Sequence, residues 1–251
     1  NIPPHNLGEV IDATVHLIDN PGATPDDLMA FVKGPDFPTG ALIMGRSGIL
    51  DAYRTGRGSI RMRAVADIEE GRKGEQRIVV TQVPYHTSVE SIGARIAELV
   101  QDRKLEGIRD VRNESSREGS RLVVELKRDA NTQIVLNQLY KHTPMQTNFN
   151  VIMLALLDGA PKVLNLADAL RAYIAHQVDV VTRRTNFRLQ KAKDRAHIVE
   201  GLLRALDMLD EVIALIRASA DVEAARAGLM AKPFEFTEIQ ANHILDMPLR
   251  R

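Results

Sequence analysis

The second half of the chain repeats an apolar or small residue at a mean spacing of about 3.5 positions. The repeating positions, which we call the seam, are Ile174, Val178, Val181, Thr185, Leu189, Ala192, Ala196, Val199, Leu203, Leu206, Leu209, Ile213 and Ile216. This spacing is typical of a coiled coil rather than of an isolated helix. Asn165 can cap the start of the helix, with Asp168 as its reciprocal acidic partner. We therefore expect one long helix over residues 165–218, with a seam that needs a partner.

Alternating strand and helix patterns fill the middle of the chain. They predict strands at 76–83, 108–113, 120–128 and 149–157, and helices at 87–102 and 130–141. This β-α-β-β-α-β order is typical of the split βαβ fold, in which both helices cover one face of a single sheet. Residues 59–69 alternate between apolar and polar positions, which predicts a further strand joined by a hairpin at 71–74. The middle of the chain is therefore expected to be a two-layer α/β domain.

Shorter helices are expected towards both ends of the chain, which makes the predicted fold class α+β. A first helix is predicted at 7–18, with one face formed by Val10, Ile11, Thr14, Val15 and Ile18. Thr24 and Pro25 favour the start of a second, short helix, and a brief strand should follow at 41–44. Helices are also expected at 221–230 and 237–247. Capping boxes are predicted from Thr87 to Glu90 and from Thr237 to Gln240.

Composition narrows the range of functions. Lys and Arg number 33, and Asp and Glu also number 33, so any binding to nucleic acid would depend on a local patch. The chain has no cysteine, which excludes disulfides and thiolate metal sites and fits a cytoplasmic location. Its longest apolar run, Val151 to Leu157, is too short to cross a membrane. We expect no membrane span and no metal site in this chain.

The sequence lacks the motifs of a complete active site. It contains no P-loop, no Gly-Xaa-Ser-Xaa-Gly turn, no His-Glu-Xaa-Xaa-His pair and no glycine-rich dinucleotide turn. The remaining candidates are four arginines with no acid among them: Arg54, Arg57, Arg61 and Arg63. Arginines on a glycine-rich loop beside a strand suit contacts to a phosphate backbone. A solvated strand face is the alternative for these four. For a second basic cluster at 183–195 on the long helix, the charged outside of a coiled coil is the stronger interpretation.

Several segments resemble a known family. They are Asn1-Ile2-Pro3-Pro4-His5-Asn6-Leu7, Gly34-Pro35-Asp36-Phe37-Pro38-Thr39, Ala52-Tyr53-Arg54-Thr55-Gly56-Arg57-Gly58, Glu125-Leu126-Lys127-Arg128-Asp129-Ala130, Leu139-Tyr140-Lys141-His142-Thr143, Arg183-Arg184-Thr185, Ala192-Lys193-Asp194-Arg195-Ala196-His197-Ile198 and Ile244-Leu245-Asp246-Met247. In this order, and over the whole chain, they are similar to the A subunits of the bacterial type IIA DNA topoisomerases. The resemblance favours DNA gyrase over its paralogue topoisomerase IV.

This resemblance implies a division into three parts. Residues 1–33 would end a winged-helix region and link it onwards, 34–160 would form an α/β tower domain, and 161–251 would form a coiled-coil stalk with incomplete exit-gate helices. The family cleaves DNA through a tyrosine that follows an arginine. None of the tyrosines in this chain follows an arginine. No catalytic residue or cofactor is therefore expected here, and Mg²⁺ and ATP are expected on the partner B subunit.

The resemblance also implies roles for individual residues. Ile2 matches an apolar wedge that enters between base pairs and kinks the duplex, although it could instead anchor an adjoining domain. Together with the four arginines it forms the expected DNA-binding set. A homodimer contact through the exit gate is expected at Leu229, Ile239, Ile244 and Leu245.

The expected partners are double-stranded DNA, a second copy of the chain and a gyrase B subunit. Pro248 departs from the family pattern, and no returning stalk helix follows Arg251. We therefore expect the seam to pair with another copy. A non-enzymatic coiled-coil scaffold with an accessory α/β domain remains the alternative from a different functional class.

Overall fold

The computed structural model describes residues 1–71, 74–117 and 119–247 and contains two compact units, Asn1–Ala175 and His176–Arg251. Its helices are α1 (Leu7–Asp19), α2 (Pro25–Leu28), α3 (Ser47–Thr55), α4 (Val89–Gln101), α5 (Thr132–His142), α6 (Leu166–Asp207), α7 (Leu209–Ala218), α8 (Val222–Met230) and α9 (Glu238–Leu245). Its strands are β1 (Leu42–Ile43), β2 (Arg57–Arg63), β3 (Val65–Glu70), β4 (Gln76–Gln82), β5 (Ile108–Asn113), β6 (Leu122–Leu126), β7 (Gln146–Ile152), β8 (Leu154–Leu157) and β9 (Ala160–Val163). The mixture of sheets with a long helix confirms the α+β class.

The first unit contains two hydrophobic cores. One core joins α1, α2 and α3 to the sheet β1-β2-β7 and to the beginning of α6. The other lies between the sheet β3-β4-β6-β5 and the helices α4 and α5. The first core includes residues on both sides of position 33, and the boundary between the units lies at 175. The domain bounds expected at 1–33, 34–160 and 161–251 stay a prediction.

The prediction of a single split βαβ sheet is wrong in its last strand. The strand predicted at 59–69 is interrupted at Ala64, which is fully buried and donates its backbone N–H to the Met145 carbonyl at 2.7 Å. As a result β2 and β3 lie in different sheets. Strand β3 pairs with β4, although residues 72 and 73 of the expected hairpin lie outside the described residues. Strand β7 pairs with β2 instead of joining the four-stranded sheet. Both helices nevertheless pack on the same face of that sheet, as predicted.

The opposite face of the four-stranded sheet is covered by ion pairs. Val79 and Val123 are cross-strand neighbours on β4 and β6 and are almost completely buried on this face. Around them Arg121 pairs with Glu69 at 2.9 Å, and Arg112 pairs with Glu125. The aliphatic stems of such long charged side chains can shield apolar groups while their charged ends remain in water.

The burial of α1 differs from the expected face. Its buried residues are Ala13 and Leu17, whereas the predicted face residues Ile11, Val15 and Ile18 are about half exposed. Asn6 caps α1 through a bond from the Glu9 backbone N–H. Two apolar stripes lie side by side on this helix. Tertiary packing buries the stripe that contains Ala13 and Leu17 and leaves the predicted stripe about half exposed.

Two local predictions about helix starts also need correction. Helix α3 was missed because its N-cap residue, Arg46, makes no side-chain capping bond. Helix α4 begins one residue later than the predicted box, with Ser88 and Ser91 as the reciprocal pair in place of Thr87 and Glu90. The Thr24 cap and the Thr237–Gln240 box are confirmed.

The long helix is interrupted once. Asn165 accepts the Asp168 backbone N–H at 2.8 Å, so the predicted cap is present, while the Asp168 carboxylate pairs with Arg171. Met208, with φ −119° and ψ 34°, separates α6 from α7. Seam residues from Val178 to Leu209 are exposed, including Leu189, Leu203 and Leu206.

The second unit has its own core, against which the last seam residue, Ile216, also packs. Ala205 and Val212 pack with Leu229, Phe234 and Ile244. Gly201 permits this packing because a Cβ there would lie 2.5 Å from Gln240 Cγ. The predicted departure at Pro248, and any helix after it, lie outside the described residues. Among the described residues, no helix is long and apolar enough to span a membrane.

Candidate nucleic-acid interface

Strands β2 and β7 present a ladder of polar side chains on one face of their sheet. Their antiparallel register pairs Arg63 with Gln146, Arg61 with Asn148 and Ser59 with Asn150. The intervening residues Ile60 and Met62 point into the core and are buried. Arg57 continues the same face at the start of β2, opposite Ile152. The sheet therefore gathers three of the four predicted arginines on one surface.

Close packing of α3 on β2 determines where this arginine strand begins. A Cβ on Gly48 would lie 1.9 Å from the Ser59 carbonyl oxygen, so only glycine allows the helix to approach the strand this closely. Helix α3 then ends at Gly56, whose φ of 77° is the left-handed conformation typical of a helix end. Arg57 follows directly as the first residue of β2.

Arg57 and Arg61 are the available cations of this face. Both side chains are exposed, and no carboxylate of the described chain lies within 4.0 Å of either one. Arg61 borders a cavity of about 250 Å³ that Asn148, Ser47 and Ser59 also line. A guanidinium without a carboxylate partner can donate its full set of N–H groups to phosphate oxygens.

Arg63 is held more firmly by its neighbours. Its Nε and one terminal nitrogen donate to the Gln146 side-chain oxygen at 3.0 and 2.7 Å. Its guanidinium carbon also lies 4.5 Å from the centre of the Tyr140 ring. Arg63 thus keeps its charge on this face but has a structural role between β2, β7 and α5.

Arg54 is separated from the other three arginines. It lies in the last turn of α3, not on the expected loop, and forms two 2.8 Å bonds to the Asp26 carboxylate. The hydrogen bonds from Arg54 lower the pKa of Asp26. A phosphate would have to displace this carboxylate in order to reach Arg54.

Ile2 lies beside the end of the ladder. The Asn1 and Ile152 backbones exchange two hydrogen bonds, of 3.2 and 3.0 Å, which place the first residues of the chain along β7. The Ile2 side chain is 54% exposed, while Pro3 is buried. The exposed aliphatic group is compatible with the predicted wedge, which stays a prediction.

Sequence reasoning missed the amide side of this surface. Gln146, Asn148 and Asn150 alternate along β7, but the predicted strand began only at residue 149. The alternation of amides with Thr147, Phe149 and Val151 was the available signal. Strand assignment was shifted because the apolar run that starts at Val151 dominates the local pattern.

The predicted gate residues have different environments. Leu229 and Ile244 are buried in the core of the second unit, and Leu245 is half-buried beside it. Ile239 is 57% exposed on α9. The contact of these residues with a second copy stays a prediction, in which Ile239 is the residue with the most accessible side chain.

Two tyrosine hydroxyls, those of Tyr53 and Tyr140, make hydrogen bonds within the fold, whereas Tyr173 is 55% exposed on α6. Tyr53 is buried and bonded to His5 Nε2 at 2.7 Å, and burial raises its pKa. Tyr140 donates to the Ala64 carbonyl oxygen, and burial raises its pKa as well. Tyr85 lies in an aromatic group with Phe37 and Phe149. Within the described residues, no three His, Asp or Glu side chains gather as metal ligands.

Comparison with known proteins gives one consistent family. The model of the DNA gyrase/topoisomerase IV A-subunit family matches residues 1–251. The DNA gyrase A subunits of Halalkalibacterium halodurans and Clostridium acetobutylicum are each 55% identical over the whole chain. The gyrase A subunit of Streptomyces coelicolor is 56% identical over an alignment of 256 residues. The chain spans about 30% of the length of these relatives.

The match covers every segment that carried the sequence resemblance, from the proline-rich start to the helices of the second unit. This chain is a member of the DNA gyrase/topoisomerase IV A-subunit family.

Proposed function

We propose that the chain is part of a DNA gyrase A subunit, in which it binds and bends the DNA segment that the enzyme opens. Residues 34–160 would act as the tower domain beside that DNA, and 161–251 as the coiled-coil stalk and exit gate. The complete enzyme would pass one duplex through another with ATP hydrolysis and introduce negative supercoils. Membership of the A-subunit family supports this assignment.

The arginine ladder is the observation that carries the proposal. Arg57 and Arg61 are exposed, lack carboxylate partners within the described chain and are separated by one residue pair along the same strand face. The amides of β7 lie beside them, so the surface offers hydrogen-bond donors with no competing acid. Such a surface suits the sugar–phosphate backbone of a duplex.

We propose that this chain does not cleave DNA alone. Burial and hydrogen bonding hold Tyr53 and Tyr140 in the fold, which supports a nucleophile contributed from outside residues 1–251. A B subunit would supply the Mg²⁺ site and the ATPase, and a second copy would complete the exit gate. The assembled enzyme would act on chromosomal DNA in the bacterial cytoplasm.

The relatives favour gyrase over topoisomerase IV, because the similar proteins from all three organisms are gyrase A subunits. The matched family includes both enzymes. The topoisomerase IV counterpart is therefore the alternative within the family.

A salt titration of DNA binding tests the proposal. The fluorescence anisotropy of a labelled duplex gives the binding constant of the chain at several salt concentrations. Replacing Arg57 with Ala should lower the slope of log K against log salt by about 0.9, the value for one lost phosphate contact. Arg103→Ala is the matched control, because Arg103 is an exposed arginine next to the other sheet. An unchanged slope for Arg57→Ala and Arg61→Ala would contradict the proposed interface.

A further inference from the structure

Helix α6 carries a row of positive charge along one side. Arg184, Arg188, Lys191 and Arg195 follow one another at intervals of four, three and four positions, the spacing that places side chains on one side of a helix. We call this row the α6 stripe. All four residues are exposed, and the row spans about 16 Å at about 1.5 Å per residue. It belongs to the second unit, whereas the ladder of β2 and β7 belongs to the first.

The charges of the α6 stripe are not neutralised within the described chain. No carboxylate of the described residues lies within 4.0 Å of any of the four cations. The acids of this part of the helix have other partners. Asp179 pairs with Arg183 at 2.9 Å, and Asp194 accepts a hydrogen bond from the Gln190 side chain at 2.7 Å. The positive charge of the stripe is therefore open to solvent.

An ordinary solvated face does not account for this arrangement. Opposite charges four positions apart stabilise a helix in water, whereas like charges at that spacing destabilise it. Arg184 and Arg188 are like charges four positions apart, and so are Lys191 and Arg195. The sequence thus places two repulsive pairs in one row. This repulsion is a cost to the helix that an anionic partner would relieve.

The α6 stripe is separate from the seam of the same helix. Each stripe residue precedes a seam residue by one position, and consecutive residues lie about 100° apart around the helix axis. Between residues 185 and 196 the seam has one large side chain, Leu189, among Thr185, Ala192 and Ala196. A helix that lies on a membrane needs a large apolar face beside its cations. The seam is too small for that here, so the stripe suits a partner that is recognised by its charge.

We propose that the α6 stripe binds the phosphate backbone of a second DNA duplex, separate from the duplex on the ladder of β2 and β7. The inference rests on the proposed function, in which the complete enzyme handles two duplexes. A duplex carries about one negative charge per 1.7 Å of its axis, so a row of about 16 Å can meet several phosphates. Contacts to phosphates carry no sequence information. Binding at the stripe should therefore be independent of sequence.

Two lysines of α6 give an internal test. Lys191 belongs to the stripe, whereas Lys193 is two positions further on and therefore lies about 200° away around the helix. Both are exposed. Acetic anhydride acetylates accessible lysines, and tandem mass spectrometry gives the rate at each one. An excess of short duplex at low salt should slow the acetylation of Lys191 several-fold and leave that of Lys193 unchanged.

A salt titration tests the same surface from the DNA side. In the variant Arg57→Ala, Arg61→Ala the remaining binding should depend on the α6 stripe. Adding Arg188→Gln to this variant should lower the slope of log K against log salt by about 0.9. Adding Lys193→Gln is the matched control and should leave the slope unchanged. Circular dichroism of each variant verifies that the helix is retained.

The outcomes separate this inference from the proposed function. Acetylation of Lys191 at the same rate with and without duplex, while Arg57→Ala still lowers the salt slope, would overturn the inference and leave the proposed function intact. Protection of Lys191 by phosphatidylglycerol vesicles but not by duplex would also overturn it, in favour of a membrane surface. No binding of the unaltered chain to any duplex would contradict the proposed function itself.

Discussion

The Arg54 guanidinium and the Asp26 carboxylate form a two-pronged ion pair, with both N···O distances at 2.8 Å. The pair joins the last turn of α3 to the first turn of α2. Because both side chains are about half exposed, water and salt screen the interaction, and it adds little to stability. Its main effect is electrostatic, since Asp26 neutralises Arg54.

This ion pair predicts different effects for neighbouring arginines on DNA binding. Arg54→Ala should leave the slope of log K against log salt unchanged, because Arg54 already has an anionic partner. Asp26→Asn should instead raise the slope, by up to about 0.9, since Arg54 then becomes available to a phosphate. The anisotropy titration described above measures both. Equal losses for Arg54→Ala and Arg57→Ala would show that the duplex displaces Asp26.

The contact between Gly48 and Ser59 predicts a large effect of a single methyl group. In Gly48→Ala the new Cβ would lie 1.9 Å from a backbone oxygen, so α3 or β2 must move. We expect a loss of about 1–3 kcal/mol in the free energy of unfolding, as for other overpacked sites. Urea unfolding followed by circular dichroism measures this loss.

Gly22→Ala is the control for this substitution. No atom lies within 4 Å of a Cβ placed at Gly22, so its unfolding curve should match that of the unaltered chain. Similar stability of both variants would mean that α3 and β2 can separate at low cost. The position of Arg57 would then depend on something other than this contact.

Local signals made the secondary structure largely predictable from the sequence. The bounds of β5 were predicted to the residue, and the caps at Asn165 and Thr237 depend on side chains within three positions. The failure in the sheet involves a distant partner. Ala64 divides one alternating strand into two because it bonds to Met145, which is 81 positions away by their numbers. Nothing within the alternating stretch itself signals this break.

At the candidate site, too, features set by local sequence were predictable and features set by distant partners were not. Exposure of Arg61 follows from the period of two along a strand, which the sequence predicted, whereas Arg57 was expected on a loop and instead begins β2. The partners of the other two arginines could not be predicted, because Asp26 is 28 and Gln146 is 83 positions away from them. Charge counted along the sequence therefore overestimated the number of available arginines.

A partly buried hydrogen bond between His5 and Tyr53 makes the start of the chain sensitive to pH. His5 Nδ1 lies 2.8 Å from the Pro3 carbonyl oxygen, and His5 Nε2 lies 2.7 Å from the Tyr53 hydroxyl. With a proton on Nδ1, the other nitrogen accepts from the tyrosine. Burial lowers the pKa of His5, although Asp36 and Glu9 act in the opposite direction.

This lowered pKa predicts a loss of stability in mild acid. The unfolded chain takes up a proton near pH 6.5, whereas the folded chain resists it, so stability falls as the pH drops below about 6.5. The loss is complete below the folded pKa. Urea midpoints at pH 7.5 and pH 5 should differ more for the unaltered chain than for His5→Gln. Carboxylates with lowered pKa, such as Asp26 and Glu69, lose their contribution only at lower pH.

A variant of Tyr53 tests the same hydrogen bond from its other partner. Tyr53→Phe removes the hydroxyl that His5 binds, so the pH dependence of its urea midpoint should also change. An identical difference between pH 7.5 and pH 5 in the unaltered chain and in His5→Gln would show that the proton is taken up equally in both states. The bond to Tyr53 would then have no influence on the pKa of His5.

The exposed seam of α6 predicts self-association. Leu203 and Leu206 are 57% and 54% exposed, whereas the core of the second unit is built on Ala205 and Val212. Each large aliphatic side chain that becomes buried contributes about 1.5–3 kcal/mol. A second copy of the chain presents the same seam at the spacing of about 3.5 that coiled coils share. We therefore expect a dimer or a larger oligomer at micromolar concentration.

Sedimentation velocity of the chain and of a seam variant tests this expectation. The double substitution Leu203→Asp, Leu206→Asp introduces charges that repel a second copy, so the protein should sediment as a monomer. Val222→Asp is the control, because Val222 is equally exposed on α8 but lies outside the seam. A monomeric unaltered chain with full helicity between residues 199 and 216 would contradict the prediction. The seam would then remain in water without a partner, and packing against α8 and α9 alone would maintain the helix.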